Sequence, residues 1–393
     1  MTDLARLRGA RVHLEPERVI DVLDRVLRTW SAPDSLWRER LRRDHPGFSS
    51  AVVELGTRLG TELWTADVLR SLRTREIPEA SLAPELTAVW LAGSIPTSSF
   101  SAILLPLLAG SAVYVKPSSV DPVSPRLFAD SLRAVDPELA LAVALGEDSK
   151  VLELADALVA YGRDETIAEL RAAVPVQRPF VGHGHKLSVA AVGDASDVEP
   201  AAEALGLDAA IYDGRGCLSP AFAFVEDRPR GRAEAFAGAL AAVLGRLETE
   251  LPRGRLGPEE QTHLHEIRSS LAMRESVKLW RSEGSLAWTV VLSRFDGFPP
   301  IPGALRTVPV IPVDDEQSLE GWLGSLRPHL SCVGQTGWGA RLEVLARAAL
   351  GAGGSRVCPL GKMQFPPLDW RHDGMGPIRP LLRVLDVEGK EDS

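Results

Sequence analysis

Cysteine is scarce in this chain. Its 393 residues carry three, Cys217, Cys332 and Cys358, far apart and odd in number. No CxxC or CxxxC pair occurs, which removes the zinc ribbon and the dithiol redox motif, and so large a chain with so few thiols reads as a protein of a reducing, cytoplasmic compartment. Long apolar runs are missing as well. The fullest, Phe100–Val115, is broken by Ser101, Pro106, Gly110 and Ser111, so no membrane span is expected. Residues 1–16 alternate charged and apolar positions and lack the apolar centre of a secretory signal. An excess of positive charge is absent too: 44 Lys and Arg stand against 53 Asp and Glu, a net charge of −9. That excludes a general nucleic-acid binder, which needs a basic face to displace phosphate counterions, and favours small or locally steered ligands. The glycine-rich fingerprints GxGxxG and GxxxxGK[ST] and the esterase elbow GxSxG do not occur, and no internal repeat is visible.

What remains is an ordinary globular composition, 45% hydrophobic and 25% charged, long enough for two or three domains. Residues 1–85 read as helical, with Val19, Ile20, Val22, Leu23, Val26, Leu27 and Trp30 at helical spacing. From Leu86 strands alternate with helices: strands at 86–92, 112–116, 139–145 and 159–162, and helices at 99–109, 125–134, 151–158 and 165–173. A second alternation begins at Leu187, with strands at 187–192, 222–225, 287–292, 307–313, 331–333 and 356–358. Such alternation predicts an α/β fold of parallel sheets with right-handed crossovers, whose ligands sit beyond the carboxyl ends of the strands. The expected divisions are 1–85, a helical segment; 86–186, a cofactor-binding domain; 187–360, a catalytic domain; and 361–393, a C-terminal loop and charged tail.

Within that frame a few residues carry chemistry. Cys217 lies in Asp213-Gly214-Arg215-Gly216-Cys217-Leu218-Ser219-Pro220, where glycines permit a tight backbone around the sulfur. Its thiolate would be a nucleophile whose pKa Arg215 or a nearby histidine lowers; the alternative is a buried structural thiol beside a turn. Cys332 and Cys358 read as buried strand residues. Lys116 ends a strand, in reach of a cofactor ribose or phosphate, or else is an ordinary surface lysine. Gly162 marks a strand-to-helix junction with Asp164 as N-cap. His183 and His185 fall on one face if the segment is a strand, but no Cys, Asp or Glu adjoins them, so no metal is expected.

These pieces taken together resemble a family. LAGSIPTSSF at 91–100, AVYVKPSS at 112–119, AYGRDETI at 160–167, RPFVGHGHKLS at 178–188, IYDGRGCLSP at 211–220 and GKMQFPPLDWRHDG at 361–374 are similar, in order and spacing, to the aldehyde dehydrogenase superfamily. The chain is most similar to the long-chain acyl-CoA reductases of bacterial bioluminescence, the LuxC type. The resemblance implies two α/β domains with the active site in the cleft between them, a homodimer or tetramer, and NADPH-dependent reduction of a fatty acyl-CoA or acyl-carrier thioester to aldehyde through an acyl-Cys217 intermediate. It implies that Lys116, Ser118, Ser119 and Gly162 line the cofactor. Ser119 stands where NAD-preferring relatives have Glu, which favours NADPH over NADH. Ser94 replaces the family's usual Asn as donor to the thioester oxyanion. No Glu lies between Pro179 and Ser188 to activate water, which suits reduction or thiol exchange, and His183 or His185 becomes the proton donor or base. The segment 370–374 is expected to shape the site or a dimer contact without a firm chemical role. Three alternatives stand beside this reading: the reverse, CoA-acylating reaction, a shorter substrate, and a non-catalytic scaffold that binds acyl thioester, dinucleotide or an acyl-transfer partner.

Overall fold

The computed structural model describes residues 4–294, 305–386 and 388. Of the charged tail at 387–393, all but Glu388 lies outside them. The chain divides into two compact units. One takes the residues up to Pro46, Thr57–His185 and those from Pro367 onward; the other takes Gly47–Gly56 and Lys186–Pro366.

The first unit is built on five parallel strands: β1 (Leu86–Trp90), β2 (Ala112–Lys116), β3 (Val143–Leu145), β4 (Ala157–Tyr161) and β5 (Phe180–His183). They lie in the order β3-β2-β1-β4-β5, the doubly wound arrangement in which the first strand is central. The runs LTAVW, AVYVK and ALVAY are buried at every position but the last. A strand covered on both faces reads as an unbroken apolar run rather than an alternating one, which is why these three are plain in the sequence. Residues 139–142 form a 3-10 turn and only Val143–Leu145 pair, so the expected strand there is half as long. The helix expected at 151–158 stops at Leu154, because Ala157 already belongs to β4.

The N-terminal helices belong to this unit rather than forming a segment of their own. Helix Pro16–Ser31 starts with the Glu15 carboxylate accepting the Glu17 and Arg18 N–H groups. Its apolar stripe is buried from Val19 to Trp30. Trp30 donates its indole N–H to Ser131 Oγ at 2.9 Å and packs 4.6 Å from the Phe100 ring, which stacks 4.7 Å from Phe128. One indole thereby ties this helix to helices Pro96–Ala109 and Val123–Val135. The returning C-terminal chain adds a short antiparallel pair, Ser81–Leu82 with Arg383–Val384.

Among the described residues of the second unit are seven strands: β6 (Leu187–Val192), β7 (Pro220–Glu226), β8 (Lys278–Arg281), β9 (Thr289–Leu292), β10 (Thr307–Val313), β11 (Leu330–Thr336) and β12 (Arg356–Pro359). Their order is β12-β11-β6-β7-β10-β9-β8. All neighbours are parallel except β8, an antiparallel edge strand whose KLWR sequence carries no apolar run and is not legible beforehand. A 3-10 turn at Gly339–Arg341 leads into helix Leu342–Gly351.

Removing the Trp30 ring empties a fully buried site and takes away the indole donor to Ser131 Oγ, which keeps its own bond to the Phe128 carbonyl. Trp30→Ala should cost about 3–5 kcal/mol, read as a lower urea midpoint in chemical denaturation; a midpoint shift equivalent to under about 1 kcal/mol would show that the ladder of rings is not what anchors the N-terminal helices.

Candidate active site

Cys217 is exposed, while Cys332 and Cys358 are buried on the neighbouring strands β11 and β12 with their sulfurs 3.6 Å apart. The Cys358 hydrogen bond and burial push the Cys332 thiol well up. A thiol held in its neutral form is a poor nucleophile, so Cys332 is not a competitor for the chemistry.

The backbone that presents Cys217 is unusual. Tyr212, Asp213 and Gly214 follow one another in left-handed conformation, with φ of 57°, 56° and 69°. Two consecutive non-glycine residues there cost about 1–2 kcal/mol each, so the surroundings must impose the turn. Asp213 is completely buried and Arg306 nearly so. The Asp213 Oδ1 accepts from Arg306 Nε at 2.8 Å and lies 2.8 Å from Nη2 in an ion pair, and Oδ2 accepts the Gly254 N–H at 2.9 Å. Arg306 spends its remaining donors on the carbonyls of Leu251 and Ala210. The Tyr212 ring lies 5.5 Å from the Phe48 ring and fills the space where a Cβ on Gly56 would sit, so residue 56 has room for hydrogen alone.

Beyond the turn, the Gly216 N–H donates to Ser219 Oγ and the Ser219 N–H returns to the Gly216 carbonyl. Ser188 Oγ donates to the Cys217 carbonyl at 2.7 Å. Gln364 Nε2 bridges Ser219 Oγ and the Asp208 carbonyl at 3.0 Å each. The Asp208 carboxylate takes the N–H groups of Gly361 and Met363. Thus the GKMQ stretch is fastened to the loop that carries the sulfur, which sequence reasoning did not foresee; the one trace was its place among the similar segments. Burial pushes the Asp208 carboxyl up to about 7, against the pull of the Gly361, Met363 and Gln364 N–H groups that favour its anion. Arg215, one of the two groups expected to act on the thiol, makes a two-pronged bond from its guanidinium to Glu260, at 2.6 and 3.0 Å.

A hollow of about 1210 Å³ in the same unit is walled by Arg253, Arg268, Trp280 and Trp288 among others, and Cys217 is not part of its wall. The Arg268 donors are committed to Thr289, Ser285, Ser282 and Trp288, so this guanidinium braces the wall rather than facing a ligand.

In the first unit, the expected cofactor residues gather at the carboxyl ends of the strands. Trp90 and Lys116 are register partners at the ends of β1 and β2. Lys116 Nζ lies 5.4 Å from the Trp90 ring centre and 3.8 Å from Glu147 Oε2, attracted by both and hydrogen-bonded to neither. Ser118 is buried and its Oγ accepts the Val120 N–H at 3.3 Å, so it shapes the turn; Ser119 is exposed. Gly162 follows β4. Asp164 is the first residue of helix Asp164–Ala173 and not its cap: its Oδ1 accepts the His185 N–H at 2.7 Å, and a Cβ on Gly184 would collide with that oxygen.

Ser94 is half-buried in the turn after β1, where Gly93 has a φ of 78°. His45 Nε2 lies 3.0 Å from the Ser94 carbonyl oxygen and 3.6 Å from Asp121 Oδ2, with both side chains buried. No motif pointed to His45.

The expectation that His183 and His185 share a strand face fails, because β5 ends at His183 and His185 lies beyond it, exposed. The group around His183 comes instead from the far end of the chain. His183 Nδ1 is 2.8 Å from Asp373 Oδ2, and its ring stacks 4.1 Å from His372 and 4.8 Å from its register partner Tyr161. His183, His372 and Asp373 bring their ligand atoms within 4.8 Å of one another. An ion, however, binds in the plane of an imidazole, and the two rings are within 12° of parallel. They share no nearby in-plane point, so one ring would have to turn for both to hold a metal.

The sequence model of the acyl-CoA reductase (LuxC) family matches residues 14–384. The chain belongs to the LuxC family of acyl-CoA reductases. This LuxC-family chain is 24% identical over 317 residues to long-chain acyl-protein thioester reductase 2 of Photobacterium leiognathi, and 25% identical over 313 residues to the long-chain acyl-protein thioester reductase of Aliivibrio fischeri. Each match takes in 76% of this chain and 63% of the relative, so the chain spans a little under two thirds of their length. A NAD-dependent benzaldehyde dehydrogenase of Corynebacterium glutamicum has the same fold, with a TM-score of 0.69 at 15% identity, covering 90% of this chain and 83% of that one. The aldehyde-dehydrogenase-like fold expected from the motifs is therefore the fold of this LuxC-family member.

Two predictions follow from the Cys217 loop. Arg306→Met leaves the Asp213 carboxylate buried beside a single N–H and should cost about 3–5 kcal/mol, measured by urea unfolding; a near-neutral result would show that the turn does not need the pair. The Asp208 carboxyl binds its proton more tightly folded (about 7) than at its ordinary 3.8. Its contribution to stability is therefore full below about pH 4 and lost as pH rises to about 7. Plotting wild-type minus Asp208→Asn unfolding free energies against pH should give a difference that falls across that window; a flat difference would show that the carboxyl keeps its ordinary value.

Proposed function

We propose that this chain reduces a fatty acyl thioester to the aldehyde, with Cys217 as the acyl carrier. The observation that carries the reading is that the one exposed thiol stands on a strained, externally braced turn in a chain of the LuxC family. Strain at a site held by its surroundings is a mark of preorganised chemistry. In this reading the Cys217 thiolate attacks the thioester carbonyl carbon. A carbon–sulfur bond to Cys217 forms, the bond to the carrier sulfur breaks, and the carrier leaves as a thiol. The Cys217 N–H and the Ser94 hydroxyl steady the oxyanion.

Lys116, Ser118, Ser119 and Gly162 would hold a nicotinamide dinucleotide, which supplies hydride to the acyl carbon when bound. Lys116 fits that role, since its ammonium makes no hydrogen bond to Glu147 and stands at a strand end where such ligands lie. After reduction Cys217 holds a thiohemiacetal, which collapses to free aldehyde and thiolate, with His183 or His185 managing the proton. Ser119, a hydroxyl where NAD-preferring relatives carry Glu, favours NADPH over NADH. The relatives' names support an acyl-protein thioester as substrate beside acyl-CoA. Assembly as a homodimer or tetramer, with an acyl-transfer partner protein in the cytoplasm, belongs to the same reading. None of the described helices is long and apolar enough to cross a membrane.

Incubation with radiolabelled palmitoyl-CoA tests this directly. Wild type should retain label and Cys217→Ala should not. NADPH should discharge the label as aldehyde faster than NADH does. Absence of label on both proteins would overturn the enzyme reading and leave a scaffold. Ser94→Ala should slow acylation by about 10²-fold, followed as the rate of label uptake.

A further inference from the structure

The Asp373 carboxylate has no place in the chemistry outlined above, yet it makes a close, largely buried contact at the end of a strand of the first unit. His183 and Asp373 each expose only about 10% of their side chain, and 2.8 Å separates Nδ1 from Oδ2. An ionised carboxylate only accepts hydrogen bonds, so the imidazole must donate through Nδ1. That assigns the other nitrogen, Nε2, as the lone-pair-bearing atom of the neutral ring. His372 Nε2 is 3.9 Å from the same oxygen, too far for a hydrogen bond, so the carboxylate serves His183.

The ring is also fixed against tumbling. It stacks on Tyr161, its partner across β4 and β5, and on His372, which in turn stacks 4.5 Å from Trp370. The segment that supplies Trp370, His372 and Asp373 is bent to do so: Asp373 has a φ of 54° and Gly374 a φ of 81°. It is anchored on its flanks, where Arg75 binds the Asp369 carboxylate at 2.8 Å and the Glu76 carboxylate accepts the Arg379 N–H at 3.2 Å. A chain end bent into left-handed backbone to bring a carboxylate to one imidazole nitrogen has the build of an orienting group rather than of a surface ion pair.

We propose that Asp373 is the positioning residue of His183, holding the imidazole as its Nδ1–H tautomer so that Nε2 is the nitrogen that exchanges protons. The tautomer stands on this contact alone; its use in turnover rests on the reading that His183 handles the proton of thioester reduction. The C-terminal loop thereby becomes part of the working site of the first unit.

The test uses the full chain with ¹⁵N-labelled histidine, its spectrum recorded at alkaline pH and the His183 signals assigned by their loss in His183→Gln. Wild type should show a protonated Nδ1 and a bare Nε2. Asp373→Gly removes the acceptor without strain, since glycine accepts a φ of 54°, and should move the proton to Nε2 or mix the two forms. Asp373→Asn keeps an acceptor oxygen and should restore the wild-type pattern. In turnover, Asp373→Gly should lose roughly 10- to 100-fold in kcat with KM for palmitoyl-CoA unchanged, and Asp373→Asn should recover most of it. A wild-type ring protonated on Nε2, or an Asp373→Gly ring with its tautomer unchanged, overturns the proposal whatever the rate does. Label uptake at Cys217 in the same variants keeps the two readings apart: absence of acyl-enzyme in wild type sinks the reductase reading, while the spectra still decide the role of Asp373.

Discussion

A carboxylate and a guanidinium shut away from water hold the turn on which Cys217 stands. Asp213 and Arg306 are 93 positions apart in sequence, and each satisfies the other while the Gly254 N–H and two carbonyls take up what remains. A buried pair of this kind adds little to net stability, because desolvating two charges offsets most of their attraction. Its effect is on uniqueness. The left-handed residues 212–214 would relax in isolation, and the pair admits one arrangement of the backbone with the thiol beyond it exposed. The strain is sustained by contacts the thiol does not make.

The same economy of means recurs in the first unit with different chemistry. There the parallel strands deliver Trp90, Lys116, Tyr161 and His183 to one edge of the sheet, since each is the last residue of its strand. Register then sets which of them meet: Trp90 lies beside Lys116, and Tyr161 beside His183. Polar side chains from outside the sheet finish the arrangement, with His45 at the Ser94 carbonyl, Asp121 beside His45, and Asp373 at His183. In both units the candidate site residues are short-range features of a loop or strand end, and the residues packed against them come from distant sequence.

That division explains what could be read in advance. Strands β1, β2, β6 and β10 were visible because strands buried on both faces leave unbroken apolar runs. β8 was not, being a polar edge strand, and β5 stood only as a conditional strand because FVGH is short and carries glycine and histidine. Cys217, Lys116 and Ser94 could be singled out by local motif. His45, Asp208, Arg306 and Asp373 could not, since a single buried charged or polar residue leaves no periodic trace, and its partner is known only when the chain has folded. For the same reason Arg215 looked like the thiol's neighbour by adjacency but is bonded to Glu260.

By itself, then, the sequence determined the α/β alternation, the parallel pairing and the glycine-flanked loop that carries Cys217, because hydrophobic periodicity and glycine placement act over a few residues. Tertiary structure alone decided which carboxylate faces which base, which of three thiols reaches solvent, and that the last stretch of chain returns to the end of β5. Those outcomes depend on burial and on contacts between residues up to 190 positions apart, distances over which no local pattern carries information.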